Sequence, residues 1–290
     1  RIEPRVCLND LPGSPVATHV ISAPGQYFLS ADVQGEGGKH GILIETPGDV
    51  SIDLNGFSLL GAPDSESGVR YHGPAGGGGR VAIMSNPPKR PPASQAMITN
   101  FGGPGISCDN AGSLTCAGLH IRSCGGDGVI CGTTDHFLCD NLDIEGCGGY
   151  GLRSLHATKI IHRDIAARNC LQGGIHAGHS GGGGLGNVYV YVRLSSCAID
   201  SCGGNGATIE CPEDGFDVGV SSSSFGACVG HGLCMNAAAA PGGGLGSGKV
   251  SMSDLSCVRN GGNGVDVGRS PGTPIVCRCD HLICVGNAGD

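Results

Sequence analysis

The chain has 290 residues and a formal net charge of −8, with glycine at 56 positions, cysteine at 17 and no tryptophan. The acidic balance argues against nucleic acid or an anionic membrane surface as partner, and no apolar run approaches the roughly 18 residues of a membrane span. The glycines follow no collagen-like triplet.

Residues 1–40 read as a lead-in to the main domain. Pro4, Pro12, Pro15 and Pro24 exclude a long helix there. Val20 to Ser22 and Tyr27 to Leu29 read as short strands around a Pro-Gly turn. The chain starts at Arg1 and not at Met, which fits a processed secreted protein or a fragment. A first coil then opens at Gly41 with Ile42 and Ile44, continues through Ile52 and Leu54, and closes with Phe57 and Leu59. Gly68 opens a longer coil that holds Val81, Ile83 and a Pro-rich stretch at 87–92, and Ala96 and Ile98 restore the pattern.

From Gly105 onward the chain repeats itself. Gly105, Gly128, Gly151 and Gly174 stand 23 residues apart, and Gly206, Gly232 and Gly264 follow at intervals of 32, 26 and 32. A fixed period of this length marks a solenoid. The positions one and three after each anchor glycine are mostly apolar, as in Ile106 and Cys108 or Val129 and Cys131. Counting back from the next anchor, positions 14 and 12 repeat the alternation in Leu114 and Cys116 or Phe137 and Cys139. Positions 9 and 7 do so again in Leu119 and Ile121 or Leu142 and Ile144. Alternation at period two is a strand with one buried face. The prediction is an all-β fold: a right-handed parallel β-helix over residues 41–290, of about nine coils with three short strands each, roughly 40 Å long at the usual strand spacing. The two 32-residue coils take their extra residues at 180–186 and 241–248, before the second strand, and the buried pattern resumes in register.

The cysteines follow the same columns. Cys124, Cys147, Cys170, Cys202 and Cys228 all lie four residues before an anchor, Cys108 and Cys131 share a second column, and Cys116 and Cys139 share a third. Stacked about 4.8 Å apart, they read as buried thiols that fill the core as small apolar groups. Disulfides across or along the core are the alternative, with a poor torsion for in-register neighbours. No pair has the close spacing of zinc ligands, so neither a metal nor a cofactor is expected.

The runs VISAPGQYFL from Val20, HGILI from His40 and VSIDLNGFSLLG from Val50 resemble the opening of bacterial right-handed parallel β-helix repeat proteins of the pectin-lyase-like superfamily. The resemblance implies the fold for nearly the whole chain. It selects no activity, because that superfamily hosts lyases, hydrolases, epimerases and non-enzymes alike.

Three short motifs are set aside. Gly230-His231-Gly232 resembles a polygalacturonase element, but the paired aspartates of those enzymes are missing, and His231 sits where every coil turns its corner. Residues 243–249 have phosphate-loop spacing, yet Val250 follows and opens a strand where a helix is needed. His162 falls in an inward column below Cys139 and reads as a buried neutral histidine. The outward column Arg122, Glu145, Arg168, Asp200 alternates in charge and supports the register.

The outward surface around the second strand carries more chemistry. Fifteen residues before successive anchors stand His136, Lys159, Tyr191, Asp217 and Lys249, thirteen before stand Arg193 and Arg278, and Tyr189 also points outward. An aromatic ring beside cations suits an acidic sugar chain, with the ring against the sugar and the cations on its carboxylates. In a lyase, Lys159 or Tyr191 would abstract a proton and Arg193 would neutralise the substrate carboxylate. A solvated sheet face, a glycan-binding face and a catalytic face all remain open at this point.

No capping helix is visible at either end, and the last coil is complete near Asn287. The expectation is that the last coil of one copy stacks on the first of another; an end covered by its own loops is the alternative. The leading reading is a non-catalytic extracellular or cell-surface scaffold, with a polysaccharide-active enzyme on acidic glycans and a glycan-binding module as alternatives.

Overall fold

Period-two alternation commits each segment to a strand, and the fixed repeat commits successive segments to stack. The structure, a computed structural model, describes residues 4–74, 77–85, 96–178, 189–211, 215–237, 248–269 and 275–289. Among the described residues every strand pairs in parallel with the equivalent strand of the next coil, as in Val129 with Leu152, Phe137 with Ile160 and Ile144 with Ala167. The one exception is an isolated antiparallel bridge between Ser14 and Ala17. Among the described residues no helix is long and apolar enough to cross a membrane. The chain is a parallel β-helix.

Three parallel faces result. An anchor sheet runs from Ala17–Ile21 through Ile106–Asp109 to Val265–Arg269. A second sheet, which bears the candidate site, runs from Val6–Cys7 through Gly25–Phe28, Arg80–Met84 and Val190–Ser195 to the start of Ile275–Val285. A third runs from Val33–Gln34 through Met97–Thr99 and Ala198–Asp200 to the end of Ile275–Val285. Long strands such as Val129–Glu145 and Tyr150–Arg168 bend through all three.

The lead-in proves to be a coil itself. Ile21 pairs with Ile44, Tyr27 with Ile52 and Val33 with Leu59, so residues 17–34 stack in register beneath the coil that opens at Gly41.

The anchor glycines are required by close approach. A Cβ on Gly128 would lie 2.6 Å from the Gly151 carbonyl oxygen, and one on Gly151 would lie 2.7 Å from that of Gly174. No real side chain tolerates such a contact, so this column admits glycine alone. The corners use a different device. Asn141, Asp164, Ser196, Ser222 and Asp254 each adopt a positive φ between the second and third sheets, and Ser123, Asn169, Ser201, Ala227 and Arg259 do so before the next anchor. One left-handed residue redirects the strand, and Asn and Asp tolerate that region best.

Inward columns match the expectation. Ile83, Cys116, Cys139, His162, Leu194, Val220 and Met252 stack in one line, each paired with the next. His162 is 1% exposed, with its ring edge-on to Phe137 at 4.9 Å. Burial pushes its pKa down to about 4.

Cys124, Cys147, Cys170, Cys202 and Cys228 also stack, and all are buried. The Gly148 N–H donates to the Cys124 carbonyl at 2.8 Å, Leu171 to Cys147 at 2.9 Å, Gly203 to Cys170 at 2.9 Å and Val229 to Cys202 at 3.0 Å. These five are thiols, without disulfides. Below them the column changes to amides. The Cys228 N–H donates to Asn260 Oδ1 at 3.1 Å, and the Asn260 N–H donates to Asn287 Oδ1 at 3.0 Å. Buried amides are tolerable here because Asn260 Nδ2 also donates to Phe225 O at 3.1 Å.

Two expectations change. The charged column does not pair rung by rung alone. Asp143, two residues upstream on the same outward face, takes Arg168 at 2.6 Å, Arg122 at 3.6 Å and His120 at 3.2 Å, while Glu145 keeps Arg122 at 3.4 Å. A long guanidinium reaches a diagonal neighbour as easily as a direct one.

The N-terminal end also carries a further rung, since Val6–Cys7 pairs in parallel with Tyr27–Phe28. Leu8, in the short turn Leu8–Asp10, is fully buried. Ser14 N–H donates to Ala17 O at 2.8 Å and Val20 N–H to Pro12 O at 3.1 Å, which satisfies part of the first strand's edge. At the other end, Cys277, Cys279 and Leu282 of the outermost described strand are exposed.

Candidate functional site

The second sheet builds a continuous ladder of outward side chains, because each alternates with a buried neighbour such as Ile160 or Val192. His136 pairs with Lys159, Lys159 with Tyr191, Tyr191 with Asp217 and Asp217 with Lys249. Arg193 lies one outward column over, between Ile161 and Gly219.

The centre of the ladder is tightly organised. Arg193 Nη2 donates to Asp217 Oδ2 at 2.8 Å, and Nη1 donates to the carbonyls of Asp217 and Val192, both at 3.0 Å. Its guanidinium carbon stands 4.1 Å from the Tyr191 ring centroid. Gly219 permits this pose, since a Cβ there would lie 2.8 Å from Arg193 Cδ. On the other side of the ring, Lys159 Nζ is 6.0 Å from the same centroid. The sequence-predicted residues Lys159, Tyr191, Arg193 and Asp217 thus meet. His136 and Lys249 stand one rung beyond at either end. Tyr189 is exposed two residues before Tyr191, and Arg278 is exposed opposite Ser251.

The arrangement separates two kinds of cation. Arg193 is engaged by Asp217, so its charge is locally cancelled. Lys159 and Lys249 have no carboxylate partner among the described residues. They stand on this face with Arg163 and Arg278. An open lysine next to an aromatic ring is chemistry that suits an anionic sugar; a base for proton abstraction would need a substrate carbon held against it as well.

Toward the N-terminus the same face sinks into a shallow cavity of about 650 Å³, lined among others by Gln26, Ser51, Ala82, Ser113 and Thr115. The Asp49–Arg80 ion pair lies on its margin, with Arg80 Nε donating to Asp49 Oδ2 at 2.9 Å.

The anchor sheet holds a second polar cluster that the sequence reading did not single out. Tyr150 N–H donates to Asp127 Oδ1 at 2.6 Å, Arg153 Nη1 is 3.8 Å from Asp127 Oδ2, and Arg153 lies 5.5 Å from the Tyr150 ring. The His176 ring is 5.1 Å from that of Tyr150, and its Nε2 is 3.4 Å from Glu210 Oε1. Burial raises the Asp127 pKa against the opposing effects of the Tyr150 N–H and Arg153. Arg153 Nε and His176 Nδ1 are buried without partners. The 23-residue spacing of Asp127 and Tyr150, and of Arg153 and His176, was the available signal. Two carboxylates oppose one guanidinium there, so this face does not attract anions as the ladder does.

The motifs set aside in the sequence keep their structural roles. The His231 N–H donates to Asn205 Oδ1 at 2.8 Å, and its Nδ1 accepts from the Asn263 N–H at 3.0 Å, which ties adjacent corners together. The Gly-rich inserts at 180–186 and 241–247 lie outside the described residues, as does most of the 243–249 stretch. Among the described residues no cluster of three or more His, Cys, Asp or Glu is placed to hold a metal ion.

No family model and no curated protein sequence matches the chain. Among solved structures it is similar to the A-module of mannuronan C-5 epimerase AlgE6 from Azotobacter vinelandii, with a TM-score of 0.40 and 11% identity over 96% of this chain and 87% of that one. It is also similar to the Streptococcus pneumoniae surface protein and adhesin PfbA, with a TM-score of 0.22 and 8% identity over 90% of this chain and 91% of that one.

Proposed function

We propose that the chain is a non-catalytic extracellular scaffold that holds an acidic polysaccharide along its second sheet. The observation that carries this reading is the concentration of cations there on a protein of net charge −8. From His136 onward the outward positions hold Lys159, Arg163, Arg193, Lys249 and Arg278 against Asp140, Asp217 and Asp280. Tyr191 supplies a flat ring at the centre of the run. Successive rungs about 4.8 Å apart present these groups in a line, as a linear polymer requires.

The test is calorimetric titration with polygalacturonate and polymannuronate at two ionic strengths, with product analysis of the same mixtures. Binding that weakens with salt, with no new reducing ends, no unsaturated uronate and no change in sugar configuration, supports the reading. Turnover that disappears in Lys159→Met or Tyr191→Phe would replace it with the enzymatic one. Absence of binding to any acidic polymer would refute both.

A further inference from the structure

The cavity on the N-terminal half of the same sheet differs in kind from the cationic ladder. Its floor continues the outward column that carries Arg193 lower down. Gln26 pairs with Ser51, Ser51 with Ala82 and Ala82 with Thr115, before the column rises to larger side chains at Leu138 and Ile161. The depression therefore exists because four successive rungs place Gln, Ser, Ala and Thr there, with Ser113 beside them.

Its chemistry is that of an uncharged ligand. The one ion pair on its margin, Asp49 with Arg80, is self-cancelling: Arg80 N–H and Nε both donate to the carboxylate, at 2.8 and 2.9 Å. The side chains of Gln26, Ser51, Ser113 and Thr115 make no hydrogen bond with the described protein. Hydroxyl and amide groups of this kind donate and accept alike, and Ala82 leaves a patch of apolar floor between them. That set matches a pyranose ring, which is hydroxyl-rimmed with an apolar face. It offers no uncancelled cation to a carboxylate. Ser113 stands two rungs from Lys159, roughly 10 Å at the usual strand spacing. One oligosaccharide spans both regions.

We infer that this cavity is a subsite for neutral sugar residues of the same glycan whose acidic residues lie on the Lys159–Lys249 ladder, so that the polymer held is mixed in charge. This rests on the ladder binding an acidic glycan. The two are separable by experiment. Titrate wild type, Ala82→Trp and Lys159→Met with a hyaluronan decasaccharide, in which uronate alternates with a neutral sugar, and with decagalacturonate, in which every residue is acidic. Wild type should favour the alternating chain by about fivefold, the scale of one or two net hydrogen bonds, although it carries half the charge. Ala82→Trp fills the cavity from an outward position, and it should erase the preference by weakening the alternating chain alone. Lys159→Met should weaken both ligands. Thr115→Trp serves the same purpose if Ala82→Trp fails to fold by circular dichroism. A preference that survives a folded cavity-filling variant, or no preference in wild type, overturns the subsite while leaving the ladder intact. Failure of both oligosaccharides to bind wild type removes the ladder and the subsite together.

Discussion

Charge neutralisation at Arg193 and Asp217 probes the ladder most directly. In the native face the two charges are 2.8 Å apart and cancel, each side chain about a quarter to a third exposed. Arg193→Gln leaves Asp217 as an uncompensated carboxylate beside any bound uronate. Two unit charges 4 Å apart interact by about 1 kcal/mol in bulk water and about 4 at an effective dielectric of 20. This face is open to solvent, so the lower part of that range applies, about 1 to 2 kcal/mol, or roughly five- to thirtyfold in affinity. Asp217→Asn does the opposite. It frees the Arg193 guanidinium and should tighten binding by a similar factor. The double variant Arg193→Gln with Asp217→Asn restores local neutrality and should return to within about threefold of wild type. Isothermal titration with polygalacturonate at low and at physiological salt reads all four proteins, and the differences should shrink as salt rises. If Asp217→Asn weakens binding, or the double variant is weaker than Arg193→Gln alone, the electrostatic account of this face is wrong.

Three further outcomes are expected. His162 has a folded pKa depressed from 6.5 to about 4, so its contribution is complete above pH 6.5 and is lost as pH falls toward 4, where the unfolded chain takes the proton first; the loss is about 2 to 3 kcal/mol by pH 4.5. Denaturant melts of wild type and His162→Leu at pH 7 and 4.5 should show a markedly smaller acid loss in the variant, and equal losses would contradict the assignment. The hydrogen bond with Cys124, followed by burial, pushes the Cys147 thiol up to about 12, and the equivalent bond with Cys147 does the same for Cys170. A chromogenic disulfide reagent should therefore label the exposed Cys279 promptly and reach Cys147 and Cys170 only on unfolding; rapid native labelling of Cys147 in peptide maps would exclude a closed column. Gly151→Ala places a methyl 2.7 Å from the Gly174 carbonyl oxygen and 3.0 Å from Ala167 Cβ, so a loss of about 1 to 3 kcal/mol is expected in chemical denaturation, and an unchanged midpoint would show that the anchor column does not depend on close approach.

How far the sequence reached follows from the range of the forces involved. Burial alternates with period two along each strand, and the repeat brings equivalent residues together every 23 to 32 positions. The inward columns, the thiol stack and the meeting of Lys159 with Tyr191 therefore followed from counting alone. Tertiary structure decided what outward side chains do once stacked. Gly219 lets Arg193 lie flat and find Asp217, Asp143 gathers two arginines from adjacent rungs, and Tyr150 draws in Arg153 and His176. Long polar side chains choose among several neighbours at similar energies, and no periodic pattern states the choice. Structure also placed Val6 and Cys7 on Tyr27 and Phe28, a rung that precedes the strands legible in the sequence. Register is a property of the repeat and is written in the chain, whereas contacts between exposed rungs depend on rotamers that only the assembled coils select.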